Sequence, residues 1–107
     1  MPTEVAGGSQ TAVIGTEHTL ATNTTNKVFV LVVDLANMVA GDTVELRVYT
    51  IARAAGTERQ AYVETFVGAQ TSPMVYSVPI PANISCKATL KQTAGTGRVF
   101  VWALLSL

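Results

Sequence analysis

The chain has 107 residues, 49% apolar and 13% charged, with seven Lys plus Arg balancing seven Asp plus Glu. That length supports one domain with one core. The zero formal charge supplies no field for gathering nucleic acid or an anionic membrane, and so high an apolar share leaves greasy surface to be covered by other subunits.

Residues 1–10 are small and polar, with Gly7-Gly8, and read as a flexible N-terminal arm or a first edge segment; residues 11–107 read as a single β-sandwich domain. Met1-Pro2-Thr3-Glu4 has neither the basic nor the apolar region of a secretory signal, so a product that stays where it is made is expected. The longest apolar runs, Val28 to Val33 and Val99 to Leu105, are too short for a membrane-crossing helix.

From Thr11 onward, short segments rich in Val, Thr, Ile, Tyr and Phe alternate with Gly, Asn, Pro and Thr punctuation, the spacing of an antiparallel sandwich or barrel. No helical apolar period of useful length occurs. About eight strands are expected, near residues 10–14, 17–22, 27–34, 42–54, 59–68, 73–80, 84–93 and 97–106. The run Val28 to Val33 is apolar on both faces, which suits a central strand covered by a sheet on one side and by something else, such as a neighbouring chain, on the other.

Asp34 to Met38 reads as a turn that drops a short apolar plug, and Ala40-Gly41-Asp42 as a tight turn. The next strand alternates, with Val44, Leu46 and Val48 on one face and Glu45, Arg47 and Tyr49 on the other. Its expected partner carries Tyr62, Glu64 and Phe66, with Glu64 across from Arg47. Ala54 to Thr57 and Ala94 to Gly97 read as hairpin connections. Pro73, Pro79 and Pro81 confine their segment to an edge or loop. At the C-terminus Val99, Val101, Ala103 and Leu105 share one face, while Phe100, Trp102 and Leu104 share the other.

No arrangement of catalytic residues is legible, so no enzyme, cofactor or metal is expected. His18 is the sole histidine and Cys86 the sole cysteine, which cannot supply four zinc ligands, an intrachain disulfide, or a triad with a nucleophile elbow. Both read as ordinary strand residues. Glu45 and Glu64 could approach as a glycosidase pair, but with Arg47 and Arg59 nearby they read better as a solvated ion-pair ladder. Gly95 to Arg98 has too little of the phosphate-loop pattern and fits a hairpin turn. Asn23-Thr24-Thr25 and Asn83-Ile84-Ser85 match the glycosylation acceptor by composition alone. Tyr49, Tyr62, Tyr76 and Trp102 could form a carbohydrate or nucleic-acid platform if side by side, yet no basic residues interleave with them, and core or subunit interface is the better reading.

The stretches "LVVDLANMVAGDTVELRVYT", "GTERQAYVETF" and "ATLKQTAGTGRVFVWALLSL" resemble small virion proteins of tailed bacteriophages, from about residue 17 onward. The resemblance implies a jelly-roll-like β-sandwich that decorates or cements an assembled head, without catalysis. It implies a homo-oligomer, dimer or trimer, whose partner is the major capsid protein, with no nucleic acid, membrane or small-molecule substrate. It also implies residence in the virion after synthesis in the bacterial host cytoplasm. A tail or fibre component, or a free carbohydrate-binding module, is the alternative. The mobile arm and the hairpin tips near Gly56 and Gly95 are the expected contact elements.

Overall fold

The computed structural model describes residues 2–107 and contains nine strands. They are β1 (Thr3–Thr11), β2 (Glu17–Asn23), β3 (Lys27–Asp34), β4 (Thr43–Ile51), β5 (Glu58–Val67), β6 (Met74–Tyr76), β7 (Ile80–Ala82), β8 (Cys86–Ala94) and β9 (Val99–Ser106). One sheet has the order β1-β9-β3-β6, with β7 also paired to β3, and the other has the order β2-β8-β4-β5. Each sheet draws strands from both halves of the chain, and every pairing is antiparallel. If β6 and β7 are counted as one interrupted strand, this is the eight-strand, two-sheet order of a jelly roll.

The core is made by alternation. Phe29, Leu31 and Val33 of β3 and Phe100 and Leu104 of β9 meet Val44, Leu46 and Val48 of β4 and Ala88 and Leu90 of β8, all nearly or fully inaccessible. The expected plug is present: Leu35 and Met38 are buried beneath the turn between β3 and β4, where the Ala36 N–H donates to Asp34 Oδ1 at 2.9 Å.

Two expectations need correction. Of the two readings of residues 1–10, the flexible arm gives way to the first edge segment: residues 3–10 lie in β1, an edge strand paired with β9 from Thr3↔Ser106 to Thr11↔Val99. Small polar composition reads as a loop in isolation, whereas an edge strand needs little more than backbone partners, and Gly7 and Gly8 allow close approach to Trp102. Met1 of the expected arm lies outside the described residues.

The segment expected as one strand over 73–80 is instead split into β6 and β7. At the break Ser77 is buried; its N–H donates to Leu31 O at 2.8 Å, and its Oγ accepts from Leu31 N at 2.9 Å. The side-chain oxygen thus takes the place of a strand carbonyl, and Pro79 prevents the ladder from continuing through it.

At one end of the sandwich, Asp42 ties the loops together. Its buried carboxylate accepts from Val39 N at 3.0 Å, Thr96 N at 3.3 Å and Arg98 Nε at 2.8 Å. Gly95, with φ of 90°, sits so close that a Cβ there would overlap the Asp42 carboxylate, so this position requires glycine on both conformational and steric grounds. Gln92, fully buried, donates through Nε2 to Ala94 O and Thr96 O and accepts from Arg98 N, which closes the hairpin between β8 and β9.

Candidate functional site

The two outward faces of the sandwich differ in chemistry. The outer face of the four-stranded sheet is charged. Arg47 lies 2.9 Å from Glu45 and 3.6 Å from Glu17, while Glu17 also accepts from the Tyr49 and Thr89 hydroxyls at 2.7 Å each. Lys87 pairs with Glu58 at 2.9 Å and stands 4.7 Å from the Tyr49 ring centroid. Burial opposes ionisation of Glu17, but the Thr89 and Tyr49 donors and the nearby Arg47 and Lys87 outweigh it and hold its carboxyl below the ordinary value. Among the described residues, Arg47 Nε is left buried without a hydrogen-bond partner, and of the four residues expected as an ion-pair ladder only Glu45 and Arg47 pair here, Glu64 and Arg59 taking no part.

The outer face of the five-stranded sheet is apolar. Strand periodicity that sends Leu31, Val33, Phe100 and Leu104 inward sends Val28, Val30 and Val32 of β3 and Val99, Val101, Ala103 and Leu105 of β9 outward. Val30 lies across from Leu105, Val32 from Ala103, and Asp34 from Val101. On one flank, β6 adds Met74 and Tyr76 opposite Asp34 and Val32. On the other, Gly7 lies across from Ala103 and Ser9 from Val101, while Glu4, across from Leu105, lays its carboxylate over Gly7 and gives this flank a charged rim. Val101, Met74 and Tyr76 are each at least half exposed, at 54%, 50% and 62%.

Past Val28 and Pro81 this face runs into an open depression of about 300 Å³, lined also by Asn26, Lys27, Ala82 and Asn83. Four strands at ~4.8 Å spacing and seven residues at ~3.4 Å rise give the face a footprint of roughly 450 Å². This outline takes in Glu4, Gly7, Ser9 and Asp34 as well, and it lies within the ~300–600 Å² of a typical monomer's largest apolar patch. Both faces of β3 are apolar as its sequence implies, and within this chain the second face has only partial cover.

The other residues singled out in the sequence do not converge. His18 Nε2 accepts from Val13 N at 3.0 Å and Nδ1 contacts Gln10 Nε2 at 3.2 Å, so the imidazole ties the β1–β2 turn. Cys86 is fully buried, and that burial pushes its thiol up to about 11. Glu45 lies across from Thr65 and Glu64 from Leu46, so adjacent positions of the pair put the two carboxylates on opposite faces. Arg47 correspondingly faces Val63, not the expected Glu64.

Gly95 to Arg98 is a hairpin turn held by Asp42 and Gln92. Asn23 Oδ1 accepts from Thr25 N and Oγ1 in a local turn, and Asn83 Nδ2 donates to Ala52 O. The aromatic residues do not share a platform: Tyr49 is on the charged face, Tyr76 on the apolar face, and Tyr62 and Trp102 pack inward against the core. Among the described residues, no group of three or more His, Cys, Asp or Glu could hold a metal ion.

The contributions of Met74 and Tyr76 to the apolar surface are not legible in the sequence, because the prolines around them mark only an edge or loop. Asp42, Gln92 and Arg98 are likewise invisible there as a unit, being brought together across as many as 56 positions.

Fold and faces together define a single jelly roll with one charged and one partly covered apolar side. No protein-family model and no curated protein matches the chain. Among solved structures it is similar to VP2 of infectious bursal disease virus in its subviral particle, with a TM-score of 0.56 and 14% sequence identity. That match covers 100% of this chain and 32% of VP2, so the present chain spans about a third of its structural counterpart. At this identity the shared property is the fold, a jelly-roll sandwich that also occurs in a protein of a viral particle.

Proposed function

We propose that this chain is a structural subunit of a virion, a decoration protein that seats on the assembled head of a tailed bacteriophage and stabilises it without catalysis. The observation that carries the reading is the apolar outer face of the five-stranded sheet, exposed through Val101, Met74 and Tyr76. Support also comes from the fold shared with a protein of a viral particle and from the resemblance of the "DLANMVAGDTVEL" and "LKQTAGTGR" stretches to small phage virion proteins.

The partner is the major capsid protein. At ~25 cal/mol per Å², a face of roughly 450 Å², if wholly apolar and exposed, contributes at most about 11 kcal/mol from this chain's side before association costs of ~4–15 kcal/mol are subtracted; Val30, already buried, and the polar positions lower that figure. One isolated contact is therefore weak, and the surface suits a lattice that presents many sites to linked subunits. Binding to assembled shell in preference to free capsid subunits shifts the balance toward intact heads by mass action.

The test is co-sedimentation with purified heads, together with cryo-electron microscopy of the particle. Hundreds of copies in regular array, lost when Val101→Lys is used, are the expected result. A few copies at the tail, or heads that do not retain the chain, would overturn the reading.

A further inference from the structure

A sandwich of two open sheets has four edges, and three of these are blunted. β1 carries a bulge between Glu4 and Ala6, and β2 a bulge between Thr19 and Ala21. The edge formed by β6 and β7 consists of two strands of three residues each, interrupted around Pro79. Bulges, short strands and proline are the usual devices against edge-to-edge association.

Along half its length β5 has no bulge, break or proline, and its one charge there, Glu64, stands on the inward row with Tyr62 and Phe66 as the sole such device. β5 is the longest strand, with ten residues, and it pairs only with β4. Its one irregularity lies near Ala61, so Tyr62 to Val67 run in unbroken register from Val48 to Thr43. The Gly68 N–H donates to Asp42 O at 2.8 Å. Antiparallel alternation then turns the backbone groups of Tyr62, Glu64 and Phe66 toward β4 and leaves those of Val63, Thr65 and Val67 facing solvent. Val63 and Val67 are also exposed, at 44% and 69%.

We infer that a second copy of this chain pairs with this edge, β5 against β5 in antiparallel fashion, in the register that centres Thr65 on Thr65 of the other copy. Charge disfavours the neighbouring register on one side. Shifting the centre to Glu64 would set two carboxylates directly opposite one another, a destabilising arrangement. Centring on Thr65 sets Val63 against Val67 twice, sets the threonines together, and moves each Glu64 opposite Phe66. It also satisfies the outward backbone groups of Val63, Thr65 and Val67 on both chains.

The self-pairing stands independently of the head-binding reading, whereas its consequence rests on that reading. Antiparallel edge pairing relates the copies by a two-fold axis normal to the joined four-stranded sheets, which become one eight-stranded layer. Both five-stranded sheets then lie on the same side of that layer, with their apolar faces directed the same way. The dimer is a bivalent clamp for a lattice whose individual contacts are weak.

Sedimentation equilibrium of the whole chain tests this, with an expected mass of twice 11.3 kDa. Thr65→Cys should form a disulfide-linked dimer under mild oxidation, because the two-fold brings that position against itself, while Val63→Cys should not. Cys86 is buried and supplies no competing thiol. Thr65→Pro removes an N–H that β4 does not use, and Val67→Lys replaces both Val63–Val67 cross-strand contacts with a lysine set against valine. Each should raise the dimer dissociation constant about tenfold or more, with circular dichroism showing the sandwich retained.

A native chain that remains monomeric overturns the inference, as does a dimer dissolved by Val101→Lys but indifferent to Thr65→Pro and Val67→Lys. Amide protection of β5 appearing only on the head would assign the edge to a capsid strand and also overturn it. A dimer that ignores heads would instead sink the decoration role and leave the pairing intact.

Discussion

Replacing Asp42 by Asn tests whether the loop end of the sandwich is held by one carboxylate. Asp42 is 1% exposed and uses both oxygens: Oδ2 accepts from Val39 N and Arg98 Nε, and Oδ1 accepts from Thr96 N. Asparagine keeps the shape but offers one acceptor oxygen. Placed to serve Val39 and Arg98, it turns its own N–H groups toward the Thr96 N–H. Breaking a buried ion pair outright costs ~3–5 kcal/mol, with desolvated leftovers as the main term. Here Arg98 is 28% exposed and recovers water, and the hydrogen bond broken at Thr96 is the longest of the three. The expected loss for Asp42→Asn is therefore about 1–2 kcal/mol, and for Asp42→Ala about 3 kcal/mol.

For a domain of this size, the Asn variant should melt roughly 5–15 °C lower. The pH dependence supplies a second arm. The Arg98 hydrogen bond first, then that from Val39, outweigh desolvation and hold the Asp42 carboxyl below its ordinary 3.8. A depressed carboxylate contributes stability that is fully present above its unfolded pKa and is lost as pH falls through the folded one. The gap between wild type and Asp42→Asn in urea unfolding should thus be constant near neutrality and narrow below about pH 4. Melting within a degree of wild type at pH 7, or a gap unchanged at pH 3, would refute the reasoning.

Two further outcomes follow from the same interior. Gln92→Leu is close in volume but strands the Ala94 and Thr96 carbonyls and the Arg98 N–H, so urea unfolding should show a loss of about 2–3 kcal/mol with little change in slope. Cys86, buried and pushed up to about 11, carries almost no thiolate at neutral pH, and a thiol reagent should label it at least roughly a thousandfold more slowly than in urea-unfolded chain. Native labelling at the unfolded rate would show that the strand around it opens freely.

Local side-chain rhythm is enough to identify the all-β class, the central place of β3, the inward and outward rows of β4 and β9, and the turns at Gly41 and Gly95. These follow from a strand's two-residue period, which each segment carries by itself. Strand β1 is legible only as an arm or edge, because Thr, Gly, Ser and Gln gain their ladder from β9, some ninety or more positions away. Register is equally hidden: a shift of one residue takes Glu64 off Arg47 and separates it from Glu45, since both alignments satisfy the local pattern.

Residue order alone establishes that this chain carries two kinds of strand, one apolar on both faces and one on a single face. Where they go is settled by the way the chain folds back on itself: the doubly apolar strands β3 and β9 lie side by side in one sheet, and the charges of β2, β4, β5 and β8 meet on the other. The jelly-roll crossing also sets Asp42 beside Arg98 and leaves β5 at an edge. Such neighbours come from chain crossings that join distant segments, and no periodicity within a segment encodes which distant strand will lie next to it.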